Sequence, residues 1–328
     1  MKKKIPWGAI VAPLLILVFP LLVESDYYRH IVILAVMWVV IGSSWNLLAG
    51  FTGQISFGHA IFFGIGAYVP ALLFKHLGIS PWWGMLLGGP TASLLGWVIG
   101  WICFKLRGPY FALATIAVNA IFMLLAKHFK DFTGGMEGIT FLQAFRSKLP
   151  YHYLAFAIAA ACIFVIHKVM RSKWGYYFVS IREDQDAAES MGISGFRYKS
   201  ISLLISSFFT GLAGAFYMNY IGYLDPEVVF SLANYSIMPI LVAILGGVAT
   251  LWGPAIGAFV MVLVQETFRS AIFGLAPTWV SEAHALVFGL MVMCVILFMA
   301  NGVVGDWYKI ARLLPWRRQP VAGGGDKS

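Results

Sequence analysis

Polar side chains interrupt otherwise apolar stretches at Asn46, Gln54, Ser56, His59, Thr115, Asn119, Asn219, Gln265 and Glu266. Hydrocarbon offers such groups no partner, so each must bond to another helix or face a water-lined path for a polar solute. For any one of them taken alone, interhelical bonding is the expected role. Gln54, Ser56 and His59 form a denser group, because they share a short stretch with Gly50, Gly53 and Gly58 where a helix is expected to break. That group, with Asn46, Thr115, Asn119 and Gln265, supplies the candidates for lining a translocation path. Glu266 lies close to Arg269, and an ion pair accounts for it. Intramembrane catalysis would need a His/Asp or Ser/His constellation at depth. His59 alone is not one, so no catalytic residue is expected. Cys103, Cys162 and Cys294 lie singly in apolar runs, too far apart for a local metal motif; core packing is their expected role, and neither a metal nor a disulfide framework is predicted.

A second group of residues lies in a polar connection. Ser180-Ile-Arg-Glu183 has the spacing of a capping box, in which the serine hydroxyl accepts from the Glu183 amide and the glutamate reaches back. Glu183, Asp184 and Asp186 then fall where a helix dipole favours negative charge. The spacing predicts a helix from Ile181 to Met191, ended by Gly192, with Ala187 and Ala188 forming a small surface that lets a partner approach closely. A helix resting on lipid headgroups would be expected to present cations instead. Docking of a partner protein on Arg182, Glu183, Asp184, Asp186, Ala187, Ala188, Glu189 and Gly192 is therefore the expectation.

Composition fixes the kind of scaffold that must position these groups. Of 328 residues 60% are hydrophobic and 11% charged, against roughly 25% charged in soluble domains. Apolar runs fall at about 5–23, 28–49, 55–75, 82–104, 109–126, 151–169, 198–222, 232–249, 254–272 and 283–300. Each is near the ~20 residues that cross ~30 Å of hydrocarbon as helix, so the prediction is an all-α polytopic transmembrane bundle of about ten spans. Lys2 to Lys4 and the following run resemble a signal peptide, but no small-x-small cleavage site precedes Glu24, and a retained first helix is expected. With that end cytoplasmic, 16 of the 23 lysines and arginines fall inside and 7 outside, which places both termini in the cytoplasm. Residues 1–308 then form the membrane domain and 309–328 a basic cytoplasmic tail, with an outer loop at 127–150 and an inner loop at 171–199. The net charge of +9 comes from residues flanking apolar runs, without the interleaved aromatics of a nucleic-acid surface, so no nucleic acid is expected. Gly50 to Gly58, Gly88-Gly89-Pro90 and Gly246 to Gly257 are expected to interrupt helices, whereas Gly64 and Gly66 read as sites of close packing.

The segment Ser180 to Ile193, continuing through Lys199 to Gly211-Leu-Ala-Gly214, resembles the cytoplasmic loop of the LivM-type permeases of branched-chain amino-acid ABC transporters. The likeness extends to Asn46 to Ala60, to Gly108-Pro109-Tyr110 through Thr115, to Thr133-Gly134-Gly135 with Gly138-Ile139, and to Gly246-Gly247 with Gly253-Pro254 and Gly257. These blocks run in order along most of the chain. The resemblance implies half of an importer in a bacterial inner membrane, paired with a second, H-type permease, two ATP-binding cassette subunits and an extracytoplasmic binding protein. ATP would be used by those partners and no cofactor held here; Gly323 to Ser328 only imitates the composition of a phosphate loop and no helix follows it. Branched-chain or other hydrophobic amino acids are the expected cargo, with urea, amides or aromatic acids as alternatives. A proton-coupled secondary transporter would need intramembrane acids in series, and these are sparse.

Overall fold

The computed structural model describes residues 16–275 apart from 24, 107, 141–144 and 146, together with positions 289, 293 and 302. Helix α1 spans Asp26–Asn46 and passes into a π-helical turn, Leu47–Phe51. Helices α2 (His59–Leu77), α3 (Pro81–Cys103), α4 (Pro109–His128) and α5 (Leu149–Arg171) follow. Two short helices, α6 (Lys173–Glu183) and α7 (Gln185–Ser190), lead into α8 (Gly195–Ile221). A turn of helix at Pro226–Val229 and a π-helical stretch at Ala233–Ile237 precede α9 (Met238–Gly246) and α10 (Gly253–Leu275). Prolines in the first turns of α3, α4 and α5 cost no hydrogen bond there.

Among the described residues, seven segments are long and apolar enough to cross a membrane: Asp26–Phe51, His59–Leu77, Pro81–Cys103, Pro109–His128, Leu149–Arg171, Gly195–Ile221 and Pro226–Gly246. Helix is the form such segments must take, because it satisfies the backbone without help from lipid. α10 contains a shorter apolar stretch, Gly253–Glu266. Eight of the ten expected runs thus coincide with helices. The run at 283–300 and most of that at 5–23 lie outside the described residues, as does Cys294.

At the centre, α2, α3 and α8 touch backbone to backbone. A Cβ on Gly66 would collide with the Gly211 carbonyl, one on Gly211 with Ala92, and one on Gly214 with the Phe63 carbonyl. This is association through small residues, the form helix contact takes where lipid is as apolar as the helices themselves. The expected interruption at Gly88-Gly89-Pro90 does not occur. α3 runs straight through it, and the two glycines instead admit Ala215 and the Phe208 ring from α8. α1 is enclosed by α5, α8, α9 and α10, and 83% of its most apolar window is buried. α4 packs loosely on this core, with only 22% of its window covered.

The two ends of the bundle are distinct. At one end Lys127 pairs with Glu227 at 2.6 Å, and Lys75 donates to the Asp131 carbonyl at 3.0 Å. There too a two-residue strand, β1 (Ile139–Thr140), pairs antiparallel with β2 (Tyr223–Leu224). At the other end Arg182 meets Gly50 and Lys199 meets Gln185. Lys75 and Lys127 thus lie together at one end, and Arg182 and Lys199 at the other.

Candidate functional site

The first helix break lies at the Arg182 end. Gly53 adopts φ +76, a left-handed conformation open to glycine, and lets the chain reverse after the π turn. The turn is closed by the Gly53 amide on the Ala49 carbonyl at 3.1 Å and the Gln54 amide on the Leu48 carbonyl at 3.0 Å. Residues 52–58 then fold back along α1. The Trp45 indole donates to the Ser56 carbonyl at 2.9 Å, the Gly58 amide to the Ser56 hydroxyl at 3.1 Å, and the Phe57 amide to the Thr115 hydroxyl at 3.1 Å. The freed backbone groups are thus met by side chains of α1, α4 and the segment itself.

A row of polar residues on α8 completes this seam. Ser202, Ser206 and Thr210 recur every fourth residue, on one face of the helix, and all are fully buried. Thr52 donates to Ser202 at 2.9 Å, and Ser206 donates to the Ser44 carbonyl at 2.7 Å. The Ser206 hydroxyl proton being committed to that carbonyl, His59 Nε2, 2.9 Å away, must donate to Ser206, so the imidazole carries its proton on Nε2 and Nδ1 is bare. Nδ1 is buried with no hydrogen-bond partner among the described residues, and so is Asn119 Oδ1, while Asn119 Nδ2 donates to the Phe230 carbonyl at 3.0 Å. Ser56, His59, Thr115 and Asn119 are all buried and bonded between segments. In this conformation they join helices. Gln54 and Gln265 are only half-buried, and no hydrogen bond brings either into the His59 group. Asn219 bonds to the Ala215 and Pro81 carbonyls, and Glu266 accepts from the Tyr27 hydroxyl at 2.9 Å; the Arg269 side chain lies outside the described residues.

The second break, between α9 and α10, meets the first through Asn46. Its carboxamide accepts from the Ala249 amide at 2.8 Å and donates to the Thr250 carbonyl at 2.9 Å. Ala249 is the one described non-glycine residue with positive φ, at +58. A left-handed alanine costs on the order of 1 kcal/mol and persists only where its surroundings impose it. Asn46 does so, clamping the turn from both sides, and Gly50 has no side chain because a Cβ there would collide with the Asn46 carboxamide. Arg182 reaches the same point: its Nη1 donates to the Gly50 carbonyl at 3.1 Å, and its side chain lies over Gly53, where an added Cβ would stand 2.9 Å from Arg182 Cγ. Two helix breaks and the polar connection therefore converge on one junction.

The connection itself differs from the sequence expectation. Ser180 is no cap; it lies inside α6 and its hydroxyl donates to the Tyr176 carbonyl at 2.9 Å. Burial of Phe178 and Ile181 keeps α6 helical through Ser180 to Glu183. The N-cap is Asp184, extended at φ −155, whose carboxylate accepts from the Ala187 amide at 3.0 Å. The expected single helix from Ile181 to Met191 is consequently two helices bent at Asp184. Gly192, at φ +84, ends α7, and the Ile193 amide reaches back to the Ala188 carbonyl at 3.0 Å in a Schellman closure. Ala188 is buried within its own chain, packed where α7 meets α6 and α8, so it offers no surface to a partner. Arg182, Glu183, Asp184, Asp186, Ala187 and Glu189 are exposed at least in part.

Sequence comparison brings in known proteins at this point. The chain is 27% identical over 266 residues to the high-affinity branched-chain amino acid transport system permease protein LivM of Escherichia coli K12, covering 72% of this chain and 62% of that protein. The chain thus spans under two thirds of the length of that relative. It is 19% identical over 317 residues to a probable LivM permease of Methanocaldococcus jannaschii, covering 82% and 91% of the two chains. Against the E. coli K12 permease LivH it is 22% identical over 301 residues, covering 81% and 93%. No solved structure matches. Residues 27–297 match the family described as the permease component of the branched-chain amino acid transport system, and this multi-pass membrane protein belongs to that family.

Proposed function

We propose that the chain is one permease subunit of a binding-protein-dependent ABC importer in a bacterial inner membrane, carrying branched-chain or other hydrophobic amino acids. Urea, amides or aromatic acids are the alternative cargo of the same architecture. The subunit pairs with an H-type permease, takes substrate from an extracytoplasmic binding protein, and is driven by two ATPase subunits that use the ATP. The Arg182 end faces the cytoplasm on this reading, in line with the bias of cations. The observation that carries it is the junction: an exposed acidic connection is tied by Arg182 to the π turn at Gly50. A partner that shifts α6 and α7 would thereby pull on both helix breaks at once, and His59, Ser56 and Asn119 lie where a path could open between the helices they now join. Two-state switching of this kind needs the nucleotide-bound partner to favour one arrangement by a few kcal/mol.

Ala187→Trp tests the reading. Ala187 is exposed on α7, so the bulky side chain leaves the fold intact while spoiling a docked surface, which tolerates bulk poorly. The subunit should reach the membrane in normal amount and fail to retain its ATPase in a pull-down. Normal retention with substrate-stimulated ATP hydrolysis would defeat the docking assignment.

A further inference from the structure

The elbow between α5 and α6 forms an open groove of about 420 Å³ lined by Lys168, Val169, Ser172, Lys173 and Trp174. Its setting on the membrane helix decides what it suits. Along α5 the exposed positions are Tyr153, Ala157, Ala160, Ala161 and Phe164, then Lys168 and Arg171, at the three- and four-residue spacing of one helix face. That face is apolar until its last turn and cationic there, the order in which a lipid presents its tail and its headgroup. Lys168 bends back so that its ammonium stands 4.9 Å from the centre of the Phe164 ring, as a lysine does when its stem lies along apolar surface. Trp174, 43% exposed, supplies the amphipathic ring found at the level of headgroups. Two cations, Lys168 and Lys173, line the groove with Arg171 beside them in sequence, and none of the three makes an ion pair among the described residues.

We infer that this elbow is a binding site for an anionic phospholipid, with the phosphodiester held between Lys168 and Lys173 and the acyl chains lying along the Phe164 face of α5. The ligand chemistry is phosphate, and the apolar stripe leading into the groove favours a lipid over a free ion. A protein partner on this face would be expected to bring carboxylates to the cations and would gain nothing from the lipid-like order of the stripe. The inference needs only that α5 spans a membrane and does not rest on the transporter reading.

The test uses the full-length chain in nanodiscs of mixed phosphatidylglycerol and phosphatidylcholine, with the lipids that remain bound after extraction counted by native mass spectrometry. The wild-type protein should retain phosphatidylglycerol in preference to phosphatidylcholine. Each cation near a membrane surface is worth roughly fivefold in binding, so Lys168→Gln with Lys173→Gln should lower the preference by about 25-fold, and Lys168→Arg with Lys173→Arg should restore it. Both positions are exposed, and unchanged thermal stability of the Gln pair would show that the fold is not the cause. Retention indifferent to headgroup charge in the wild-type protein, or a preference unchanged in the Gln pair, would overturn the site. Displacement of the lipid by millimolar inorganic phosphate at constant ionic strength would overturn the lipid assignment in favour of a soluble anion.

Discussion

Replacing Arg182 with alanine should loosen the junction without unfolding the bundle. The side chain is 32% exposed and has two kinds of partner, the Gly50 carbonyl and the carboxylate of its neighbour Glu183. Glu183 is 67% exposed, and a solvated pair of this kind contributes about 0.2–1 kcal/mol. The bond to Gly50 is charge-assisted and ends on a buried carbonyl, which puts it at about 1.5–3 kcal/mol. Arg182→Ala should therefore favour local opening of the π turn by roughly 10- to 150-fold. The Gly53 and Gln54 amides close that turn on Ala49 and Leu48, so their hydrogen exchange in nanodiscs reports the opening directly. Glu183→Gln should speed the same amides by less than about fivefold. Unchanged exchange in Arg182→Ala, or equal acceleration in Glu183→Gln, would refute the claim that the Gly50 contact ties the connection to the break.

Two further outcomes concern packing and sidedness. Gly66→Ala should destabilise the purified protein by about 1–3 kcal/mol, despite the gain in helix propensity, because its Cβ has nowhere to go but the Gly211 carbonyl; a melting temperature at or above wild type would show that α2 and α8 can part cheaply. Cysteines at Met136 and Met191, both exposed and at opposite ends of the bundle, should react with an impermeant thiol reagent from opposite sides of the membrane. Labelling of both from outside would sink the orientation.

The helices were legible because hydrophobic length is a property of a local window, and the breaks at Gly50 and Gly247 because glycine and polar residues coincide there. The break expected at Gly88-Gly89-Pro90 failed for a tertiary reason: those glycines answer to Ala215 and Phe208 across the interface. The same holds for Ser180, whose capping spacing was overridden by the burial of Phe178 and Ile181, and for Ala188, since nothing local says which of two adjacent alanines faces the protein. Thr52, Ser202 and Ser206 were missed altogether; the recurrence of Ser202, Ser206 and Thr210 every fourth residue was the available signal. Asn46 was picked out for its polarity, but its grip on Ala249 and Thr250 joins residues 203 and 204 positions apart.

The backbone contacts among α2, α3 and α8 also limit how this protein can move. Sliding α8 along α2 by one helical turn, about 5.4 Å, would carry Ser207 or Ala215, four residues away on the same face, toward the place that Gly211 holds against Gly66, where even a Cβ collides. Shear across these close contacts is therefore opposed at Gly66, Gly211 and Gly214. On the importer reading proposed above, movement would centre on α4, the loosely packed flank, and its kinematics would be those of a hinge.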